Sequence, residues 1–180
     1  MKKRILSLCL VALLLSMVSV GTYAYYTTSD IATNVITSGN IDILLHETTA
    51  SGDAYPKDPV VILPGDMVSK IVTVENIGSH PAYVRATLTP GVNDSTLTAD
   101  NCIRMDINET NWTFSGGYYY YNTLLAPGCT TEPLFTQVTF VGENITNDYL
   151  GKLFSLDVFV HAVQSENNGP TPMEAGWPEI

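Results

Sequence analysis

The chain is poor in positive charge. Its 180 residues include eight Lys and Arg against eighteen Asp and Glu, which gives a formal net charge of −10. Phosphate groups repel a chain of this kind, so the composition argues against nucleic acid and against anionic membrane surfaces as partners. We therefore expect neither nucleic acid nor a lipid surface to be the target of the folded protein.

Catalytic signatures are also lacking. The sequence contains no GxSxG, no CxxC and no glycine loop of the kind that cradles phosphates. His46-Glu47 begins like the helix of a zinc protease, but Ala50 stands where the second histidine would have to lie. That motif needs two histidines one helical turn apart, so that both reach one metal ion. We therefore expect no catalytic residue, no metal site and no cofactor, and we interpret His46, His80 and His161 as surface residues.

Only three cysteines occur. Cys9 lies in the apolar run near the N-terminus, which leaves Cys102 and Cys129 as an even pair. In an exported protein such a pair permits a disulfide. A single pair has no spacing pattern to test, so a bond between Cys102 and Cys129 and two unpaired thiols remain equally open.

The N-terminal residues have the layout of a secretory signal peptide. Lys2, Lys3 and Arg4 precede a sixteen-residue apolar run, and Thr22-Tyr23-Ala24 places small residues before a cut. We predict that residues 1–24 are a signal peptide, cleaved between Ala24 and Tyr25. The run is shorter than the roughly 20 apolar residues that span a bilayer, so we expect membrane contact only through the signal before cleavage.

Cleavage would leave 156 residues. Three of the eight basic residues and none of the eighteen acidic ones lie in residues 1–24, so the remaining chain carries a net charge of −13. That length suits a single domain with a sizeable core. We expect a secreted protein of the extracellular matrix or cell surface.

Residues 25–40 are predicted to be an extended N-terminal segment. Tyr25 to Thr37 is rich in Thr, Tyr, Ile and Val, which favour extended chain, and Ser38-Gly39-Asn40 separates this stretch from the next strand. The segment is a candidate donor strand for a neighbouring subunit, or else an edge strand of its own domain. Either of two alternating sets could face the sheet that accepts it: Tyr25, Ile31 and Val35, or Tyr26, Ala32 and Ile36.

Residues 41–165 read as about nine short strands separated by turn residues. The alternation is clearest in two stretches, Ala82 to Thr89 and Leu153 to Gln164, where apolar side chains recur at every second position. Trp112 to Leu124 is predicted to form a hairpin at Gly116-Gly117. No helical period persists beyond a turn or two. The pattern predicts an all-β fold, an antiparallel β-sandwich with short helical turns in its loops, followed by a loose C-terminal tail, residues 166–180.

Four stretches of the sequence resemble the TasA/camelysin (CalY) family of exported proteins. They are GTYA with the following aromatics and TSGNIDILL (37–45), PGDMVSKIVTVENIGSHPAYVRATL (64–88), GYYYYNTLLAPGCTTEPLF (117–135) and HAVQS (161–165). The resemblance implies a sandwich of jelly-roll type and a signal removed by a signal peptidase of SipW type. It also implies biofilm fibres, with copies of the chain or related matrix subunits as partners. Camelysin-type relatives are associated with a metalloprotease activity, which is not carried over because the ligand motif is missing.

We therefore predict a secreted structural subunit of a biofilm matrix, not an enzyme, that forms fibres by donating its N-terminal strand. Two alternatives belong to other classes. One is a secreted metal-dependent protease like camelysin. The other is a monomeric carbohydrate- or surface-binding module that uses the aromatic side chains Trp112, Phe114 and Tyr118 to Tyr121.

Overall fold

A computed structural model of the chain describes residues 41–56, 63–149 and 151–178. These residues form nine β-strands and two single turns of 3₁₀ helix. The strands are β1 (Ile43–Thr48), β2 (Met67–Ser69), β3 (Ile71–Asn76), β4 (Ala82–Val92), β5 (Ile103–Met105), β6 (Trp112–Ser115), β7 (Tyr118–Tyr121), β8 (Gln137–Phe140) and β9 (Phe154–Gln164). The 3₁₀ turns cover Gly142–Asn144 and Asn147–Tyr149. The predicted all-β class is confirmed, and so are the short helical turns in its loops.

The longest sheet has four antiparallel strands in the order β6-β7-β4-β9. Eleven residues of β4 pair with eleven of β9, from Ala82 opposite Gln164 to Val92 opposite Phe154. In β9, the side chains from Phe154 to Val160 alternate between half-buried and exposed, as a period of two predicts. In β4, all five residues from Ala82 to Ala86 are buried, so both faces of this part of the strand are covered. Val84 and Ala86 on β4 are completely buried.

The remaining strands form two smaller antiparallel sheets, one of two strands, β1-β3, and one of three strands, β2-β8-β5. We call these two sheets together the second layer. β2 and β3 are separated only by Lys70, and hydrogen bonds outside the regular strands continue their ladder. The amide of Val72 donates to the Phe135 carbonyl at 3.2 Å, and that of Asn76 donates to the Cys129 carbonyl at 2.9 Å. Residues 67–76 therefore run antiparallel to residues 129–139 along their whole length.

The sheets share one hydrophobic core. Its largest fully buried side chains include Trp112, Phe135 and Leu134, which pack with Val72 and Val74 from the second layer. The alternating apolar side chains of β4 and β9 are buried or pack against this core. Ala82, Val84 and Ala86 are completely buried, whereas Leu88, Phe154, Leu156, Val158 and Val160 are half-buried.

The β6–β7 hairpin follows the prediction closely. Gly116 and Gly117 connect the strands, with φ of +58° and +87°. A two-residue turn with positive φ at both positions matches the twist of a hairpin, and glycine adopts it without a steric penalty. The turn therefore fixes the pairing of Phe114 with Tyr119.

The strand β4 is longer than the predicted Ala82–Thr89, because Pro90 does not end it. The Asn93 amide donates to the Leu153 carbonyl, so the odd-numbered amides at this end of β4 point toward β9. The nitrogen of Pro90 points to the opposite side, beyond the stretch in which β7 pairs with β4. Proline is tolerated there because no ladder hydrogen bond is lost.

The C-terminal tail is not loose over residues 166–178. The Trp177 ring packs on Tyr120, with centroids 5.9 Å apart, and Arg85 lies 4.4 Å from the Trp177 centroid. The Arg85 guanidinium also donates to the Pro178 carbonyl at 3.3 Å, and the Tyr83 hydroxyl donates to the Gly169 carbonyl at 3.3 Å. Composition predicted a solvated tail, but one tryptophan placed over an arginine and a tyrosine is enough to hold it on the outer face of β4 and β7.

Candidate strand-acceptor edge

β9 is an edge strand in the part of the chain that the structure describes, where it pairs with β4 alone. Hydrogen bonds just beyond both of its ends show which groups are free. The Asn93 amide donates to the Leu153 carbonyl, and the Ser165 amide donates to the Pro81 carbonyl. The odd-numbered backbone groups of β9 therefore face β4. The even-numbered residues, from Phe154 to Gln164, direct their amides and carbonyls outward.

The apolar face of β9 is only partly covered. Its even-numbered side chains from Phe154 to Ala162 pack against the core and remain half-buried, whereas Val84 and Ala86 on the neighbouring β4 are completely buried. An unpaired backbone edge beside incompletely buried apolar side chains is the combination that accepts an added strand. We name the even-numbered backbone and side chains of β9 the acceptor edge.

β1 offers a shorter edge in the second layer. The Ile77 amide donates to the Asp42 carbonyl, so the even-numbered amides of β1 face β3 and those of Ile43 and Leu45 face outward. The carbonyl of Glu47, which also faces outward, already accepts a hydrogen bond from the Tyr55 amide at 2.8 Å. Among the described residues, two residues of β1 therefore remain open, against five of β9, where the Leu156 carbonyl already accepts a hydrogen bond from Lys70.

Lys70 joins the two layers beside the acceptor edge. Its ammonium lies 2.8 Å from the Glu47 carboxylate on β1 and donates to the Leu156 carbonyl on β9 at 3.3 Å. The Tyr55 ring centroid lies 4.9 Å from the same ammonium. Burial and the neighbouring Glu47 charge raise the pKa of Tyr55. One of the outward carbonyls of β9, that of Leu156, is therefore already hydrogen-bonded to Lys70. This contact divides the acceptor edge into the residues before and after Leu156.

Sequence reasoning missed Lys70, although a signal was present. Val68, Lys70, Val72 and Val74 have the same parity, so alternation places the lysine on the apolar face. The residue is only 7% exposed. A lysine in such a position needs a carboxylate or several carbonyls close by, although the pattern alone does not identify Glu47 as that partner.

The predicted cleavage site and donor residues lie outside the described residues. They are Ala24, Tyr25, Tyr26, Ile31, Val35 and Ile36.

Cys102 and Cys129 are free cysteines, the first buried and the second exposed. They lie at opposite ends of the ladder between residues 65–76 and 129–140. At one end, the Cys129 carbonyl accepts a hydrogen bond from the Asn76 amide. At the other end, the Cys102 carbonyl accepts one from the Val141 amide, next to the hydrogen bond from the Gly65 amide to the Phe140 carbonyl. Some ten strand residues separate the two ends, on the order of 30 Å. A disulfide needs Cα atoms within about 7 Å, so this arrangement does not bring the two thiols together.

The three histidines do not form a metal site. His46 Nε2 lies 2.8 Å from Glu75 Oε2 on the neighbouring strand, and His80 hydrogen-bonds the Ser79 hydroxyl at 2.9 Å. His161 lies opposite Arg85, where burial and the Arg85 charge lower its pKa. Within residues 41–56, 63–149 and 151–178, no three His, Cys, Asp or Glu side chains converge. The described residues therefore do not fit the zinc ligand set of a metallopeptidase.

The strands and helical turns described so far include no helix that is long and apolar enough to cross a membrane.

Comparison with known families gives the class of the protein. The family model described as camelysin metallo-endopeptidase matches residues 1–101, more than half of the chain. The chain belongs to the camelysin family, which confirms the resemblance found in its sequence. No curated protein matches it.

Proposed function

We propose that this protein is an exported structural subunit of the extracellular matrix that assembles into fibres. Residues 25–37 of one copy would add a strand to the acceptor edge of the next. The observation that carries the proposal is the edge itself: the six even-numbered residues of β9, whose backbone groups face outward beside half-buried apolar side chains. A head-to-tail contact that does not close on itself generates a filament.

The lengths of donor and acceptor agree. Thirteen extended residues reach about 43 Å at roughly 3.3 Å each, and the eleven residues of β9 span about 36 Å by the same measure. The Leu156 carbonyl accepts a hydrogen bond from Lys70. A donated strand that pairs with Val158 to Gln164 would leave this hydrogen bond intact. Backbone hydrogen bonds would supply affinity, and alternate donor side chains would cover the half-buried face.

Export and assembly would be linked through processing. Camelysin family proteins are typically exported, and the predicted signal ends directly before the donor segment. Removal by a SipW-type signal peptidase would release the segment from the membrane and allow it to reach a neighbour. The jelly-roll connectivity implied by the resemblance is part of the same proposal.

The competing arrangement within this proposal is a donor segment that folds back onto the edge of its own domain. Pairing within one chain costs only the entropy of closing a short loop, whereas pairing between molecules costs translational and rotational freedom. The two arrangements use the same backbone chemistry but differ in product, because self-pairing gives a closed monomer and donation gives a fibre.

Two proline substitutions test where a strand is accepted. Val160→Pro removes an amide that faces outward on β9, and Leu45→Pro does the same on β1. Since neither amide bonds the neighbouring strand, both variants should fold, which circular dichroism checks. We expect Val160→Pro to lose fibre growth, as followed by light scattering and electron microscopy, and Leu45→Pro to keep it. Normal fibres from Val160→Pro and their loss in Leu45→Pro would move the acceptor to β1, and normal fibres from both would refute acceptance at either edge.

A metal-dependent endopeptidase is the second candidate, because that activity gives the family its description. The described histidines do not fit a ligand set, so the proposal favours the structural role. Casein cleavage by the purified protein, with and without a chelator, decides between them. Chelator-sensitive cleavage that co-elutes with the homogeneous protein would establish the peptidase.

A further inference from the structure

The β6–β7 hairpin forms one wall of a concave site outside the acceptor edge. The cavity has a volume of about 310 Å³ and is lined by Ile107, Glu109, Trp112, Phe114 and Tyr119. This volume lies at the lower end of the range for small-molecule sites. The fibre proposal uses none of these residues.

The aromatic side chains of this cavity have distinct positions. Trp112 is 1% exposed and is held in place by the hydrogen bond from its indole nitrogen to the Glu132 carbonyl, at 3.1 Å. Phe114 is 62% exposed, and its centroid lies 4.7 Å from that of Tyr119 at an interplanar angle of 46°. The three rings thus line one cavity, with Trp112 buried, Tyr119 half-buried against the core and Phe114 exposed.

Two polar groups share the cavity with these rings. Burial raises the pKa of Tyr119, and the Glu109 charge adds to the effect, so the carboxylate acts on the phenol across the site. In the part of the chain that the structure describes, neither the Glu109 carboxylate nor the Tyr119 hydroxyl forms a hydrogen bond with a protein atom. A ligand that enters the cavity thus meets one acceptor, one hydroxyl and exposed ring surface.

We propose that this cavity binds a neutral sugar residue of an extracellular glycan. The C–H face of a pyranose ring complements the negative face of an aromatic ring, here that of Phe114, while its hydroxyls can donate to Glu109 and accept from Tyr119. No Lys or Arg lines the cavity, and the net charge of −10 disfavours anionic glycans. Such a site would attach the protein to matrix polysaccharide, independently of strand donation.

Trp112 provides a direct readout of binding. The chain has two tryptophans, and Trp177 packs against Tyr120 and Arg85 outside the cavity. A Trp177→Phe variant therefore leaves Trp112 as the only tryptophan, whose emission is recorded with excitation at wavelengths that tyrosine does not absorb. Titration with cellotetraose and with tetra-N-acetylchitotetraose should give a saturable change in its emission for at least one of the two, and polygalacturonate should give none.

Substitutions in the cavity separate sugar binding from hairpin stability. In the Trp177→Phe background, Phe114→Leu keeps an apolar side chain but loses the ring, and Glu109→Gln loses the charge. Both should fold and bind about five- to tenfold more weakly, which corresponds to one aromatic or hydrogen-bonding contact. Phe159→Leu is the matched control, because Phe159 is an equally exposed phenylalanine (56%) on β9 and should not change affinity.

The proposal fails if neither sugar gives a saturable response, or if Phe159→Leu weakens binding as much as Phe114→Leu. It also fails if an oligolysine peptide saturates the signal while the sugars do not, because the cavity would then be a cation site. None of these outcomes depends on fibre formation, so the sugar-binding proposal and the fibre proposal are tested independently.

Discussion

The Lys70 ammonium lies 2.8 Å from the Glu47 carboxylate, although Lys70 is only 7% exposed. The pair connects the junction of β2 and β3 with β1, and the further hydrogen bond to the Leu156 carbonyl at 3.3 Å reaches β9. One side chain thus links both layers of the fold at the Leu156 position of the acceptor edge. A cation taken out of water must recover its solvation from such partners.

Lys70→Met should lower the free energy of unfolding by about 1–3 kcal/mol. Methionine retains the length and apolar stem of the side chain, but Glu47 loses its partner and the Leu156 carbonyl loses a donor. Urea unfolding measures the change. Lys152→Met is the matched control, because its pair with Asp94 at 2.7 Å is more exposed on the lysine side and should contribute less to stability. Equal losses in both variants would contradict the linking role of Lys70.

Leu156→Ala tests the partial burial of β9. Replacing a fully buried leucine by alanine lowers the free energy of unfolding by about 2–5 kcal/mol. Alternation in the sequence places Leu156 on the inward face, but the side chain is only half-buried. We therefore expect a loss of about 1–2 kcal/mol, scaled down in proportion to the area removed from water. Phe135→Ala, at a completely buried site, should lose about 3–5 kcal/mol in the same assay. A loss at Leu156 as large as that at Phe135 would mean that β9 is already covered.

Asp106 should stabilise the fold in a pH-dependent way. Burial alone raises its pKa, but hydrogen bonds from the Thr136 hydroxyl and from the Gln137 and Thr136 amides outweigh burial and lower the pKa. A lowered pKa in the folded state gives stability that is present above the unfolded value of about 3.9 and is lost as the pH falls through the folded value. Asp106→Asn should thus cost about 1 kcal/mol at pH 6 and clearly less at pH 3. A difference between the two proteins that does not change with pH would contradict this role.

Trp177→Ala should release the tail from the outer face of β4 and β7. Arg85, which is 5% exposed, lies between Tyr118 at 3.9 Å and Trp177 at 4.4 Å. Loss of the indole removes one cation–π contact and the packing on Tyr120, together about 1–3 kcal/mol. Proteolysis should then cut the tail faster. Met173→Ala, at a half-exposed site, is the control and should leave both stability and cleavage near those of the unaltered protein.

Local pattern predicted much of the fold. Alternation placed the inward faces of β4 and β9, and Gly116-Gly117 located the hairpin, because both signals depend on a period of two or on a single turn. Contacts between residues distant in sequence were not predictable in this way. The Lys70–Glu47 pair and the packing of Trp177 on Arg85 depend on which layers and segments meet, and alternation does not encode that.

The candidate site was predictable only on its donor side. Composition and the predicted cleavage point indicated a free extended segment from Tyr25, whereas the edge that we propose as its acceptor could be identified only from the sheet order. β9 has the strongest strand pattern in the sequence, and nothing in that pattern distinguishes an edge strand from a central one. The half-burial of its apolar side chains became visible only once the strand could be seen to lack a second neighbour among the described residues.

Strand donation is tested most directly by removing the donor. Two forms of the protein, one beginning at Tyr25 and one at Gly39, are compared by circular dichroism, sedimentation and electron microscopy after concentration. We predict that the longer form grows fibres, while the form beginning at Gly39 stays folded and monomeric. A synthetic peptide of residues 25–37 should bind the shorter form and cap fibres of the longer one. Unaltered fibre growth by the form beginning at Gly39 would rule donation out, and its outright unfolding would show that the segment is an edge strand of its own domain.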